Sequence, residues 1–236
     1  MGAFFSSIQA GFNGWLDQLY FTFIESNRYM TLIDGFIKTL QITFGALVIG
    51  VVIGTIVAII KVLCEGNPKL KILDVLCNIY TTVIRGTPVV VQLLIMFFIV
   101  FVSASDGTWV AILTFGINSG AYVAETIRSG ILAIDKGQTE AGRSLGFSAG
   151  KTMWLIVLPQ AFKNILPAIG NEMIALLKET SVAGYVAIVD LTKAATNIRN
   201  TTFDAVNPLI ALALVYLLLV GVMTKLLNIL ERRLRK

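Results

Sequence analysis

Three polar side chains interrupt stretches that are otherwise apolar: Arg85, Asn118 and Glu179. A guanidinium fork matches a carboxylate, and a carboxylate matches an ammonium or a guanidinium. Such a set can bind a charged solute, or it can neutralise itself as an Arg85–Glu179 or Lys178–Glu179 salt bridge. Gln92, Ser119, Thr180 and Ser181 add neutral donors and acceptors nearby. Gly86 and Thr87 precede Pro88, a run able to break a helix and offer backbone groups to a polar ligand. Asn78, Arg85 and Gln92 recur every seven residues, which places them on one face of one continuous helix. Glu125 and Arg128, three apart, pair on a helix surface. Other chemistries are excluded. The chain has no histidine, so imidazole ligands and imidazole bases are both absent. Cys64 and Cys77 make neither a disulfide framework nor a ligand cluster. The stretch from Gly146 to Gly150-Lys151-Thr152 imitates a phosphate loop, but its gap is one residue short and no apolar strand precedes it.

The elements that carry these groups must be membrane-spanning. Of 236 residues, 56% are apolar and only 14% charged, where soluble domains carry about a quarter. A net charge of +5 then reads as topology information rather than as a nucleic-acid footprint. Stretches long enough to cross a bilayer lie at about 35–62, 72–102, 108–132, 162–188 and 206–230. The expected fold is an all-α membrane protein with five transmembrane helices, over a domain spanning about residues 32–236. Residues 1–31 mix Phe4, Phe5, Phe12, Trp15, Leu16, Tyr20, Phe21 and Phe23 with polar residues, which predicts an amphipathic interfacial segment. A sixth span is the rival there, opposed by Asn13, Asp17, Gln18 and Glu25. No secretory signal pattern opens the chain.

Basic residues set the orientation. Lys61, Lys69 and Lys71 fall in the first loop, Lys136, Arg143 and Lys151 in the third, and Arg232, Arg233, Arg235 and Lys236 in the tail. The second loop has only Asp106, and the fourth, near Asp190 to Asp204, is mixed. The first and third loops and the C-terminus are therefore expected to be cytoplasmic and the N-terminus outside. The C-terminal cluster suits anionic headgroups. At ~1.5 Å per residue, Arg85 lies about 20 Å from its loop, Asn118 roughly 16 Å and Glu179 about 24 Å. In a core ~30 Å thick these depths are comparable, as a shared site requires. Ala46, Gly50, Gly54 and Ala58 make a small-residue stripe for helix packing.

The third loop, about 135–160 by the span boundaries, reads as a helix, a turn at Gly146, and a second short helix with Ser148 as N-cap and Pro159 as an interruption. Within it stand Glu140-Ala141-Gly142-Arg143-Ser144-Leu145-Gly146, nine residues, then Ile156-Val157-Leu158-Pro159. This resembles the signature loop of bacterial ABC importer permeases, Glu-Ala-Ala, three residues, Gly, nine residues, Ile, one residue, Leu-Pro, with Gly142 in place of the second alanine. Arg85-Gly86-Thr87-Pro88 with Gln92, Ala121 to Glu125 with Arg128, Lys136-Gly137-Gln138, Leu158-Pro159-Gln160 and Leu177-Lys178-Glu179-Thr180-Ser181 are similar to the polar amino acid branch of that family. The likeness covers roughly residues 33–230.

That resemblance implies a permease subunit of the bacterial inner membrane, without chemistry of its own. Such a subunit pairs with a second permease, itself or a sister, and the pair docks two cytoplasmic ATP-binding subunits. It receives an amino acid from an extracytoplasmic binding protein. The cofactor, Mg-ATP, sits on the partner, and none is expected in this chain. The coupling element would comprise Glu140, Ala141, Gly142, Arg143, Ser144, Gly146, Leu158 and Pro159. Arg85, Gly86, Thr87, Gln92, Asn118, Ser119, Glu179, Thr180 and Ser181 become the substrate candidates, Arg85 facing a carboxylate and Glu179 an ammonium or a cationic side chain. The competing readings are a self-contained secondary transporter or channel, and an intramembrane enzyme. The latter lacks a nucleophile–base pair.

Overall fold

The computed structural model describes residues 2–64 and 68–234, and among them every regular element is helical. Helix α1 (Gly2–Leu19) leads through a wide turn (Tyr20–Ile24) and a tight one (Glu25–Asn27) into α2 (Arg28–Cys64). Helices α3 (Lys71–Gly86) and α4 (Val89–Ile95) follow, then α5 (Gly107–Leu132), α6 (Lys136–Ser144), α7 (Ala149–Thr152), α8 (Leu158–Glu179), α9 (Leu191–Thr202) and α10 (Val206–Leu234). Among the described residues four helical runs are long and apolar enough to cross a membrane, and the helix pair Pro68–Gly86 and Val89–Val100, bent by 104°, meets the same length and apolarity only when taken together. The expected side chains of Phe4 and Phe5, and the tail residues Arg235 and Lys236, lie outside what is described.

Small residues set the packing. A methyl group at Gly50 would stand 2.9 Å from Ser119 Cβ, and one at Gly54 would stand 2.6 Å from Val123 Cβ. Across the same seam, a methyl at Gly116 would meet Ile49 at 2.7 Å, and one at Gly120 would meet Ile53 at 2.9 Å. The register rises together on both helices, so α2 and α5 run parallel with their backbones nearly touching. In membranes, where lipid is as apolar as leucine, such close approach supplies the packing energy. The stripe Ala46, Gly50, Gly54 and Ala58 is fully buried against this partner, as its spacing predicts. Helix α8 runs antiparallel to α5, with Gly130 opposite Ile165, and α10 lies antiparallel to α8, with Gly170 opposite Leu227. Residues 68–70 and 133–157 thus gather at one end, the basic end. Residues 101–106 and 187–205 gather at the other.

Two expectations need correction. The span predicted at 162–188 is part of one helical run from Ala149 to Val186, passing Pro159 rather than stopping there. A wide turn over Met153–Val157 closes with the Leu158 N–H on the Met153 carbonyl, five residues back, and makes room for Pro159, which has no N–H to place. The fourth loop, in turn, is not a loop throughout. It holds α9, capped by Asp190, whose carboxylate accepts from Thr192 N at 3.1 Å and Lys193 N at 3.0 Å. Helix α9 is docked sideways: Leu191 N donates to Thr39 Oγ1 at 3.0 Å, and the Thr192 and Tyr216 hydroxyls meet at 3.2 Å.

The N-terminal segment is tied to this same end. Thr22, fully buried, donates to Asp204 Oδ2 at 2.8 Å, and Trp15 Nε1 donates to Asn207 Oδ1 at 3.2 Å. Asp204 also accepts from the Asn207 amide side chain at 2.7 Å and from the Val206 and Asn207 N–H groups. Burial alone would raise its pKa, but these hydrogen bonds outweigh burial and hold the carboxyl below its ordinary 3.8. A depressed folded pKa stabilises above 3.8 and loses that contribution as pH falls through the lower folded value. The melting temperature of Asp204→Asn should therefore lie below wild type at neutral pH, by a loss of about 1.5–3 kcal/mol. That gap should stay constant down to pH 5 and close only below 3.8. A gap that closed near pH 6 would exclude this carboxylate as its source.

Candidate functional site

The second pass breaks at Gly86-Thr87-Pro88, where Thr87 (φ −119°, ψ 141°) and Pro88 (φ −61°, ψ 134°) are extended. A helix ending inside an apolar bundle leaves carbonyls without partners. Gln92 supplies them: its amide nitrogen donates to Ile84 O at 2.8 Å, Thr87 O at 3.1 Å and Thr87 Oγ1 at 2.8 Å. Its oxygen accepts from Asn118 Nδ2 at 3.0 Å. The break is thereby stapled to α5, which Tyr80 reinforces by donating to Ile117 O at 2.6 Å. A largely apolar cavity of about 260 Å³ sits beside it, lined by residues including Val83, Thr87, Gln92 and Thr114.

The bend removes the single polar face expected of Asn78, Arg85 and Gln92. Asn78 stays on α3 and bonds Asp74 at 3.1 Å, whereas Gln92 lies beyond the corner and folds back on it. Arg85, Gly86 and Thr87 are exposed on a face that this chain does not cover. Arg85 places its guanidinium 5.2 Å from the centre of the Tyr122 ring, a cation–π contact. Among the described residues, neither Arg85 nor Lys178 forms an ion pair with Glu179. The structure thus brings Gln92, Asn118 and Thr87 together, sets Arg85 against Tyr122 close by in the chain, and leaves Glu179 on another helix.

On α8 a second acid joins Glu179. Glu172 accepts from Ser119 Oγ at 3.1 Å, at the level where α5 crosses Gly50 of α2. Glu172 and Glu179 are seven residues apart, on one face of α8. Sequence reasoning passed over Glu172; its signal was an acid two turns before Glu179 inside an apolar run. Thr180 is buried and donates to Leu177 O at 2.7 Å, which commits it to the helix end. Ser181 is half-buried and faces a separate cavity at the end opposite the basic loops.

Toward the basic end, Glu125 pairs with Arg128 as expected and also with Lys61 of α2 at 3.7 Å. Beyond it the third loop forms the predicted helix, turn and helix. Asp135 caps α6 through Gly137 N, and Gly146 takes the turn with φ 86°. Ser148 caps α7 by accepting from Lys151 N at 3.3 Å. Arg143 donates back to Phe147 O at 2.9 Å, closing the turn, while Gln160 of α8 reaches Gln138 of α6 at 3.3 Å. Gly142 alone of the motif is buried; Glu140, Ala141, Arg143, Ser144 and Gly146 are exposed. Leu158 and Pro159 line an apolar groove of about 430 Å³ with Trp154, Phe162 and Ile165. Leu145 and Trp154, 76% and 72% exposed, leave this end of the chain with a large uncovered apolar surface.

Residues 50–236 match the family described as "binding-protein-dependent transport system inner membrane component". The chain is 39% identical over 207 residues to the arginine transport system permease protein ArtQ of Bacillus subtilis, covering 86% of this chain and 92% of that protein. It is 36% identical over 209 residues to a putative glutamine transport system permease protein GlnP of Rickettsia typhi, covering 87% and 94%. Among solved structures, an amino acid ABC transporter crystallised with histidines superposes with a TM-score of 0.81 at 39% identity, over 89% of this chain and 98% of that one. The chain is a multi-pass inner-membrane protein and belongs to the family of inner membrane components of binding-protein-dependent transport systems.

Proposed function

We propose that this chain forms half of the transmembrane path of an ATP-driven importer of a polar amino acid, preferring a cationic one. The observation that carries the reading is the polar break around Arg85 and Thr87, stapled by Gln92 and Asn118 and uncovered by its own chain. A second permease copy or a sister permease closes that face. Arg85 meets the substrate carboxylate. Glu179, with Glu172 below it, offers negative charge to an ammonium or a cationic side chain, which intramembrane acids without an ion-pair partner favour. The basic end is cytoplasmic, with the N-terminus outside and the C-terminus inside. There the loop from Glu140 to Pro159 seats in an ATP-binding subunit, one of two that serve the permease pair and carry Mg-ATP, and an extracytoplasmic binding protein delivers substrate. The relatives named for arginine and glutamine transport support the substrate class.

The test is uptake of radiolabelled L-arginine and L-glutamine by the complex reconstituted with its ATP-binding subunits and binding protein. Uptake should require ATP. Glu179→Gln should raise the concentration of L-arginine for half-maximal ATPase stimulation about tenfold or more, as expected for losing a charge-assisted bond. Glu172→Gln should act in the same direction. Unchanged apparent affinity in both would remove the acids from the substrate site. Uptake that persists without the ATP-binding subunits would instead identify a secondary transporter.

A further inference from the structure

The tight turn that follows α8 (Thr180–Val186) and the start of α9 border an open cavity of about 320 Å³ lined by Ser181, Gly184, Tyr185, Thr192, Lys193 and Thr196. Its volume falls within the range of small-molecule sites, about 300–1,000 Å³. It lies at the end opposite the basic loops, separate from the break at Thr87. Gly184 lets Lys193 lie close along the chain, since a methyl group at position 184 would stand 3.2 Å from Lys193 Cβ and 3.4 Å from its Cδ. Asp190, the nearest acid in sequence, is fully buried, accepts with both carboxylate oxygens from the Thr192 and Lys193 N–H groups, and forms no ion pair with that lysine among the described residues. Among the described residues the Lys193 ammonium has no ion-pair partner. The Ser181 and Tyr185 hydroxyls likewise have no protein hydrogen-bond partner there. Thr192 and Thr196 are already engaged, with Tyr216 and with the Thr192 carbonyl.

One free ammonium and two free hydroxyls around an open cavity are donors in search of an acceptor. A single cation without a second base suits a monovalent carboxylate better than a phosphate. We propose that this cavity is an outer station for the α-carboxylate of an amino acid, held by Lys193 with Ser181 and Tyr185 before the solute reaches the level of Arg85. The proposal rests on the reading of the chain as an amino acid permease.

It is tested on the permease–ATP-binding-subunit complex in nanodiscs, without binding protein, using Thr196→Cys as a local reporter in a Cys64→Ser, Cys77→Ala background. Labelling by a membrane-impermeant maleimide is followed while L-arginine or L-glutamine is added, and then L-argininamide or L-glutaminamide. The acids should slow labelling and the amides should not. Lys193→Gln should raise the concentration for half-protection about tenfold, and Lys193→Arg should restore it. Competition of amide against radiolabelled L-arginine on the protein without the reporter cysteine provides the same comparison. Absence of labelling, equal protection by acid and amide, or an unchanged Lys193→Gln response would overturn the proposal. So would protection by the binding protein alone, which would make the cavity a reader of a protein carboxylate. ATP-driven uptake by the same complex, reconstituted with its binding protein in proteoliposomes, is measured separately. Its loss would count against the permease reading, and its presence without protection against the outer station only.

Discussion

A leucine at position 142 is expected to cut ATP-driven uptake by more than about tenfold while the transmembrane helices remain folded. Gly142 is the buried member of an exposed motif, and even a methyl group there would stand 2.7 Å from Thr152 Cγ2 and 2.8 Å from Ile156 Cδ1. Both neighbours belong to the helical run that enters α8, so α6 rests on the root of the fourth pass here as well as through Gln138 and Gln160. Thr152 cannot easily turn away. It is fully buried, which leaves it little room to turn into. Leucine would lift α6 off this seat and uncouple the movement of the loop from that of the helix. Gly142→Ala, the residue of the wider family motif, should fall between the two, because its clash is with side-chain ends alone. Substrate-stimulated ATP hydrolysis and uptake in proteoliposomes, compared with the melting curve of the same variant, separate coupling from folding. Full uptake by Gly142→Leu would mean that this loop does not transmit the ATPase cycle.

What was legible in the chain was whatever depends on neighbours in sequence. Pro88 after Gly86-Thr87 announces a break, and Ser148 and Gly146 announce a cap and a turn, because those rules act over three or four residues. The direction of the bend is a different matter. Nothing local tells that the chain turns by 104°, which carries Gln92 off the face of Arg85 and returns its amide to the carbonyls of the helix it left. Depth along a helix could be counted, so Arg85 and Glu179 were placed at similar levels. Azimuth could not, and the two sit on helices that do not pair them. Helix α9 was hidden for a related reason: it is too polar for a span, and its partners, Thr39 and Tyr216, are supplied by distant segments. Glu172 carries no local sign of its role, because Ser119, which donates to it, comes from another helix.

The seam between α2 and α5 should be the least tolerant place in the molecule. In Gly54→Leu, the first added carbon alone would stand 2.6 Å from Val123 Cβ and Cγ1, and 2.9 Å from the Ala124 backbone nitrogen. A side chain can rotate aside, but a backbone atom cannot, so the helices must separate along their length. Separation would also strain what is built on the seam: Ser119, which holds Glu172 from beside Gly50, and Glu125, which reaches Lys61. Overpacking a close-packed site costs about 1–3 kcal/mol when side chains can adjust, and backbone contact places this variant at or beyond the upper end. Gly221 provides the control, because nothing lies within 4 Å of a methyl group there and the residue is exposed on α10. Gly221→Leu should leave both yield and melting temperature near wild type, since it adds apolar surface to a face already bare and improves helix propensity. Gly54→Leu should lose monodisperse protein in size-exclusion chromatography, or melt well below wild type if any survives. Gly54→Ala should be intermediate. Equal melting of the Gly54 and Gly221 leucine variants would mean that the parallel pair does not approach so closely in the membrane, and with it would go the geometry that sets Ser119 against Glu172.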